Sequence, residues 1–233
     1  MAFYLLHNYM DFILDLDSIV VFENVTFKPG EESLLEDISF QIKANEMIRV
    51  EGPSGSGKST LLRLISSLIP RTSGDIIYKD QILEEVNYQT YCKSISYVSQ
   101  NPHLFGRTIR DNFELVFEAH DKAFDEKTIL DYMAEFGLAH IDLDKSIQKI
   151  SGGEKQRIGL IRHLIFPPAV LLLDEITSSL DEDNRHKVWD NLLAYKQKHQ
   201  VSIMWVSHIQ DDAVLPDRIF KIQDHTLSIE RGA

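Results

Sequence analysis

Apolar and polar residues alternate through "IVVFENVTF" (19–27) and "DISFQI" (37–42), a period of two that predicts strands of an antiparallel layer. "EMIRVE" (46–51) reads as a buried strand running into a glycine-rich turn, and "KSTLLRLISSLI" (58–69) as a helix ended by Pro70. "SGDIIYKD" (73–80) and "SISYVSQ" (94–100) predict a turn and two further strands. From about 101 to 166 the pattern turns helical, with "DEKTILDYMAEFG" stopping at Gly137. "AVLLLDE" (169–175) is wholly apolar up to its acidic end, as expected of a parallel strand covered on both faces. An amphipathic helix (182–199), the strand "VSIMWVS" (201–207) and a closing hairpin in "RIFKIQDHTLSIE" complete the pattern. Strands alternating with helices predict an α/β fold with a mostly parallel central sheet.

Length and composition narrow this picture. The 233 residues are 43% hydrophobic and 26% charged, an ordinary balance for a protein that buries a real core. No repeat or linker divides them, so one domain is expected over 18–233, with an N-terminal extension at 1–17 and a helical lobe inserted at about 101–166. A net charge of -12 opposes binding to phosphate backbones, and no nucleic-acid partner is expected. Cys92 is the sole cysteine, which excludes an internal disulfide and suits a reducing cytoplasm. The most apolar window, 158–173, is interrupted by Arg162, His163 and Pro167-Pro168 and is too short to span a bilayer. The start, "MAFYLLHNYMDFIL", lacks the basic residues and cleavage site of a signal peptide, and Met10 is an alternative first residue.

The chemistry begins at "GPSGSGKST" (52–60), which fits G-x-x-x-x-G-K-[ST] between a predicted strand and a predicted helix. Gly52, Gly55 and Gly57 allow the chain through Pro53, Ser54 and Ser56 to fold tightly, with its N–H groups aimed at phosphate oxygens. The helix that follows, with Thr60 in its first turn, adds its positive end. Lys58 is placed to reach the β- and γ-phosphates of a nucleotide, and Ser59 to ligate Mg²⁺. Asp174, at the carboxyl end of a buried strand, is placed to hold Mg²⁺ directly or through water, and Glu175 to polarise an attacking water. A carboxylate pair after a strand is by itself more often a cap or a solvated turn; beside a phosphate loop it reads as catalytic.

"KISGGEKQRIGL" (149–160) sets two glycines at a helix start, where they weaken the helix but leave its N–H groups bare. Ser151 and Glu154 form the Ser-x-x-Glu spacing of a capping box. The stretch also resembles the Leu-Ser-Gly-Gly-Gln signature of ABC-type ATPases. Gln100 after a strand, "SSLD" (178–181) and His208 after a strand follow in that family's order, so the resemblance covers about residues 18 to 230. It implies the ABC ATPase fold: a P-loop core with a mostly parallel sheet, an N-terminal antiparallel layer and an inserted helical subdomain. It also implies ATP and Mg²⁺ as cofactors. Gln100 then resembles the glutamine that senses Mg²⁺ and the γ-phosphate, and His208 the histidine that orients water. Ser151, Gly152, Gly153 and Glu154 correspond to the turn that meets the γ-phosphate held by a second copy of the chain, and Asp181 to an aspartate crossing between the copies.

Two departures stand out. Glu154 occupies the place of the usual glutamine, and Pro29 the place of the aromatic ring that stacks on adenine, with Phe27 a weak substitute. The long insertions of the family's DNA-repair members and the fused second domain of its ribosome-associated members are both missing from this sequence. The resemblance therefore points to a transporter subunit on the cytoplasmic face of the membrane, paired with a separate polytopic permease. "NPHLFGRTIRDN" (101–112) resembles the surface that receives the permease's coupling helix, in a form closer to exporters. Together with "VLLLDEITSSLD" and the missing ring it looks like the bacterial iron-efflux group of the family. The alternatives are another cargo or an ABC ATPase outside transport.

Overall fold

In a computed structural model, the protein is described at residues 17–178, 180–207 and 214–232. Two sheets form the frame. The first is antiparallel, in the order β2 (Leu35–Lys43), β1 (Ser18–Phe27), β4 (Ser73–Tyr78), β5 (Gln81–Ile82). The second contains β3 (Met47–Glu51), β6 (Ile95–Val98), β7 (Val170–Asp174), β8 (Ser202–Val206), β9 (Arg218–Gln223) and β10 (Thr226–Arg231), in the order β10-β9-β3-β8-β7-β6. Its strands are parallel except β10, which returns on β9 through Asp224 and His225. Both turn residues have positive φ (48° and 67°), the conformation that a two-residue hairpin with the sheet's own twist requires.

Strands β7 and β8 are buried at every position, and their side chains divide between two apolar cores. Leu171, Leu173, Ile203 and Trp205 enter the core shared with the helices after residue 108; Val170, Leu172, Met204 and Val206 enter the one shared with the antiparallel sheet. This two-sided burial explains the unbroken apolar run in the sequence. It also fixes the height of Asp174, which ends β7 beside Val206.

The helices are α1 (Lys58–Ile65), α2 (Tyr88–Ser94), α3 (Ile109–Ala119), α4 (Glu126–Glu135), α5 (Gly152–Leu164) and α6 (Glu182–His199). Helix α1 ends well short of Pro70, against expectation. Leu68 N–H bonds to Arg63 O and Ser67 N–H to Leu64 O, with Ser67 at φ 56°, so a Schellman turn stops the helix before the proline is reached. Helix α2 has no apolar period, since only Tyr91 is buried; Asn87 starts it by accepting from Thr90 N–H. Helix α4 ends where Gly137 turns to φ 71°. Among the described residues no helix is long and apolar enough to cross a membrane.

Candidate nucleotide site

Strand β3 delivers the chain to Gly52, whose φ of 151° and crowding leave no room for a side chain: a Cβ there would lie 2.4 Å from Ile222 O. Gly57, at φ 103°, starts α1 without any side-chain cap, which leaves the helix's first amides for an outside anion. Lys58 is buried at 6% exposure, and its Nζ donates to the carbonyls of Gly52 (2.9 Å) and Pro53 (2.8 Å). Burial lowers its pKa, while the nearby Glu175 and Asp174 oppose that shift. The Ser56 hydroxyl, inside the same loop, is buried without a hydrogen-bond partner. An ammonium resting on its own loop's carbonyls and an orphaned hydroxyl beside it make a cradle complementary to a polyphosphate.

Across from this loop, Ser59 Oγ donates to Asp174 Oδ1 at 2.9 Å and Tyr97 OH to Asp174 Oδ2 at 2.8 Å. Arg63 Nε reaches the same phenol at 3.4 Å. Burial first, and then the bond to Asp174, push the Tyr97 pKa up to about 12 against the opposing effect of Arg63, so at neutral pH the phenol is a donor. A hydroxyl and a carboxylate gathered at a strand end form the hard oxygen set that suits Mg²⁺.

Glu175 follows at φ 51°, a left-handed backbone uncommon for a residue with a side chain. Its carboxylate accepts from Gln100 Nε2 at 2.9 Å, and the same amide lies 3.4 Å from Ser178 Oγ. Lys58, Ser59, Gln100, Asp174 and Glu175 thus converge on one corner.

The second candidate stretch opens on a cap that it makes from its own residues. Ser151 Oγ accepts from Glu154 N–H (3.2 Å) and Glu154 Oε2 from Ser151 N–H (2.5 Å), a complete capping box that holds the Glu154 carboxyl below its usual range. His140 adds a contact to Glu154 at 3.4 Å. A Cβ on Gly152 would meet nothing within 4 Å, and one on Gly153 only Leu180 and Arg157 at ordinary distance. Nothing inside the described chain therefore demands glycine at either position. Asp181 caps α6, accepting from Asn184 N–H at 2.9 Å and Asn184 Nδ2 at 2.7 Å. His208 lies outside the described residues. Phe27 is half-buried against the antiparallel sheet's core, whereas Pro29 is exposed.

Comparison with known proteins shows the family. A family profile described as "ABC transporter" matches residues 35–178. The chain belongs to the ABC transporter family. It is an ATP-binding subunit of that family, and an ATPase. Over 203 residues, 87% of this chain and 90% of the relative, it is 39% identical to the Escherichia coli K12 protein named probable iron export ATP-binding protein FetA. It is 30% identical over 227 residues (94% of this chain, 83% of the relative) to the Staphylococcus aureus USA300 energy-coupling factor transporter ATP-binding protein EcfA1. Among solved structures, a bacterial Atm1-family ABC exporter with ATP bound superimposes with a TM-score of 0.80 at 26% identity over 93% of this chain. This chain spans 39% of the length of that exporter chain.

Sequence reasoning missed Tyr97 and two residues of α5. Gln156 Nε2 donates to Gln100 O at 3.2 Å, and Gly159 lies against Pro102. Glycine in mid-helix was the available signal for the last of these, since it weakens a helix unless something must come close.

Proposed function

We propose that the chain hydrolyses Mg-ATP to drive export of iron or another metal ion through a separate membrane permease, acting as a pair of copies on the cytoplasmic face of the membrane. The observation that supports the cargo is the 39% identity, over 87% of this chain and 90% of the relative, to a protein named probable iron export ATP-binding protein.

Within the site, Lys58 exchanges the carbonyls of Gly52 and Pro53 for phosphate oxygens, and the orphaned Ser56 hydroxyl gains a partner. Ser59 and Asp174, with Gln100 close by, would hold Mg²⁺, which would screen the charge of the β- and γ-phosphates. Glu175, aimed by its left-handed backbone, accepts the proton of the attacking water, and His208 orients that water. Gln100 restrains the Glu175 carboxylate meanwhile, through the bond at 2.9 Å. The amides of Gly152 and Gly153, with Ser151 and Glu154 closing the cap, face the γ-phosphate bound by the other copy, and Asp181 crosses between copies. Open space at both glycines supports that approach.

The similarity to an energy-coupling factor ATP-binding protein favours a second reading, in which the same machine serves another cargo. Over-expression with its permease separates the two. The iron reading predicts lower cellular iron and greater peroxide resistance. Unchanged iron in cells containing an ATP-hydrolysing complex leaves the other cargo, and an ATPase that binds no membrane protein leaves a role outside transport.

A further inference from the structure

Tyr97 sits on β6, next to β7, and none of the motifs read from the sequence includes it. Its phenol nevertheless closes a ring of side chains. Ser59 and Arg63 stand one turn apart on α1; Ser59 bonds one oxygen of Asp174, Tyr97 bonds the other, and Arg63 bonds Tyr97. Both carboxylate oxygens are therefore engaged.

We propose that Tyr97 is a positioning residue for Asp174: by holding Oδ2, with Arg63 behind it, the phenol fixes the carboxylate plane so that Oδ1 and the Ser59 hydroxyl stay turned toward the metal of the bound nucleotide.

The asymmetry of the two oxygens carries this inference. Ser59 belongs to the phosphate loop's own helix, and its hydroxyl is free to turn from Asp174 to an incoming cation. Oδ1 then faces the same cation. Tyr97 has no such alternative: its phenol is half-buried and is braced by Arg63. A carboxylate tethered at one oxygen cannot rotate about its Cβ–Cγ bond when the other loses its partner. Groups that bond to metal ligands and orient them commonly change metal affinity tenfold or more when removed. Tyr97 also lies three residues before Gln100, so the strand that steadies Asp174 leads directly into the loop that holds Glu175.

The inference rests on the Mg-ATP reading above, and the test separates the two. A fluorescent ATP analogue is titrated into the protein without divalent metal, then across a Mg²⁺ series. Tyr97→Phe keeps the ring and its packing, so affinity without metal stays at the wild-type value. The Mg²⁺ concentration giving half of the metal-dependent gain in affinity rises about tenfold. A phenol that only satisfies itself inside the fold would leave that midpoint unmoved. Asp174→Ala serves as the control and removes the metal-dependent gain. If Asp174→Ala loses the gain while the midpoint of Tyr97→Phe stays at the wild-type value, the role of Tyr97 is overturned and the metal site stands. If Asp174→Ala keeps the gain, the metal site itself is wrong and the inference falls with it. Should Tyr97→Phe fail to fold by circular dichroism, Arg63→Gln, an exposed change that releases the phenol's brace, takes its place. A rise of about threefold is expected there, and no rise overturns the proposal.

Discussion

Gly159 and Pro102 touch so closely that a Cβ on the glycine would stand 2.5 Å from the proline's Cβ. The contact joins the middle of α5 to the loop just after Gln100, and Gln156, one turn earlier, bonds the carbonyl of Gln100 itself. The helix that begins at Ser151 and the loop that restrains Glu175 are thus packed as one piece.

Gly159→Ala should therefore destabilise the protein even though alanine favours helix by about 1 kcal/mol. Overpacking against Pro102 costs about 1–3 kcal/mol, and the net loss should lower the melting temperature by a few degrees. Gly152→Ala, in the same helix but in open space, should leave melting unchanged or slightly raised. Scanning calorimetry of the two variants side by side checks both. A Gly159→Ala protein as stable as Gly152→Ala would show that Pro102 moves aside freely.

Glu175→Gln should turn the isolated protein into an ATP-dependent dimer. The amide keeps the shape of the carboxylate but cannot take up a proton, so binding outlasts hydrolysis. Adding Ser151→Arg should abolish the dimer while leaving ATP binding intact, because the new bulk stands where the other copy's nucleotide would approach. Light scattering in saturating Mg-ATP decides the matter. A double variant that still dimerises would mean that the Ser151 turn is only a capped helix.

Replacing Pro29 with tyrosine should tighten ATP binding. Pro29 is exposed, and Phe27 is committed to the core beside it, so the base has no ring at either position to stack on freely. Stacking of a base on an aromatic ring contributes about 1–3 kcal/mol, or roughly a thirtyfold gain in affinity at the middle of that range. Calorimetric titration measures it, and an unchanged affinity would place the adenine elsewhere.

His163 should make the protein acid-sensitive. Its Nδ1 lies 2.7 Å from Ser96 Oγ, and burial, with help from Arg162, pushes its pKa down to about 3. The folded state thus resists a proton that the unfolded chain accepts near 6.5. Stability from this residue is complete above that value and drains away as the pH falls toward 3. Because the ring keeps some contact with solvent, a loss on the order of 1–2 kcal/mol is expected. Melting curves of the wild type and His163→Asn between pH 7 and 4 should converge at the acid end, and parallel curves would assign the sensitivity elsewhere.

What was legible in the sequence was mostly contiguous. The phosphate loop is a run of nine residues, and α6 could be bounded correctly because Asp181 caps it and its apolar positions recur around the turn. Helix α1 was overrun because Pro70 is a loud stop signal, whereas a serine in a Schellman turn is a quiet one. Helix α2 is nearly all polar and left no periodic trace. The ring through Tyr97 was invisible for a different reason. It depends on β6 lying beside β7, a neighbour relation that parallel topology creates between distant segments.

Glu175 holds a left-handed backbone. A side-chain-bearing residue at φ 51° costs the fold about 1 kcal/mol that glycine would not. Glu175→Gly should accordingly melt above the wild type while losing its hydrolysis, a protein made sturdier by being disabled. Stability on its own would favour glycine at this position. The glutamate stands there against that preference, at the corner of the molecule where the proposed chemistry needs a base.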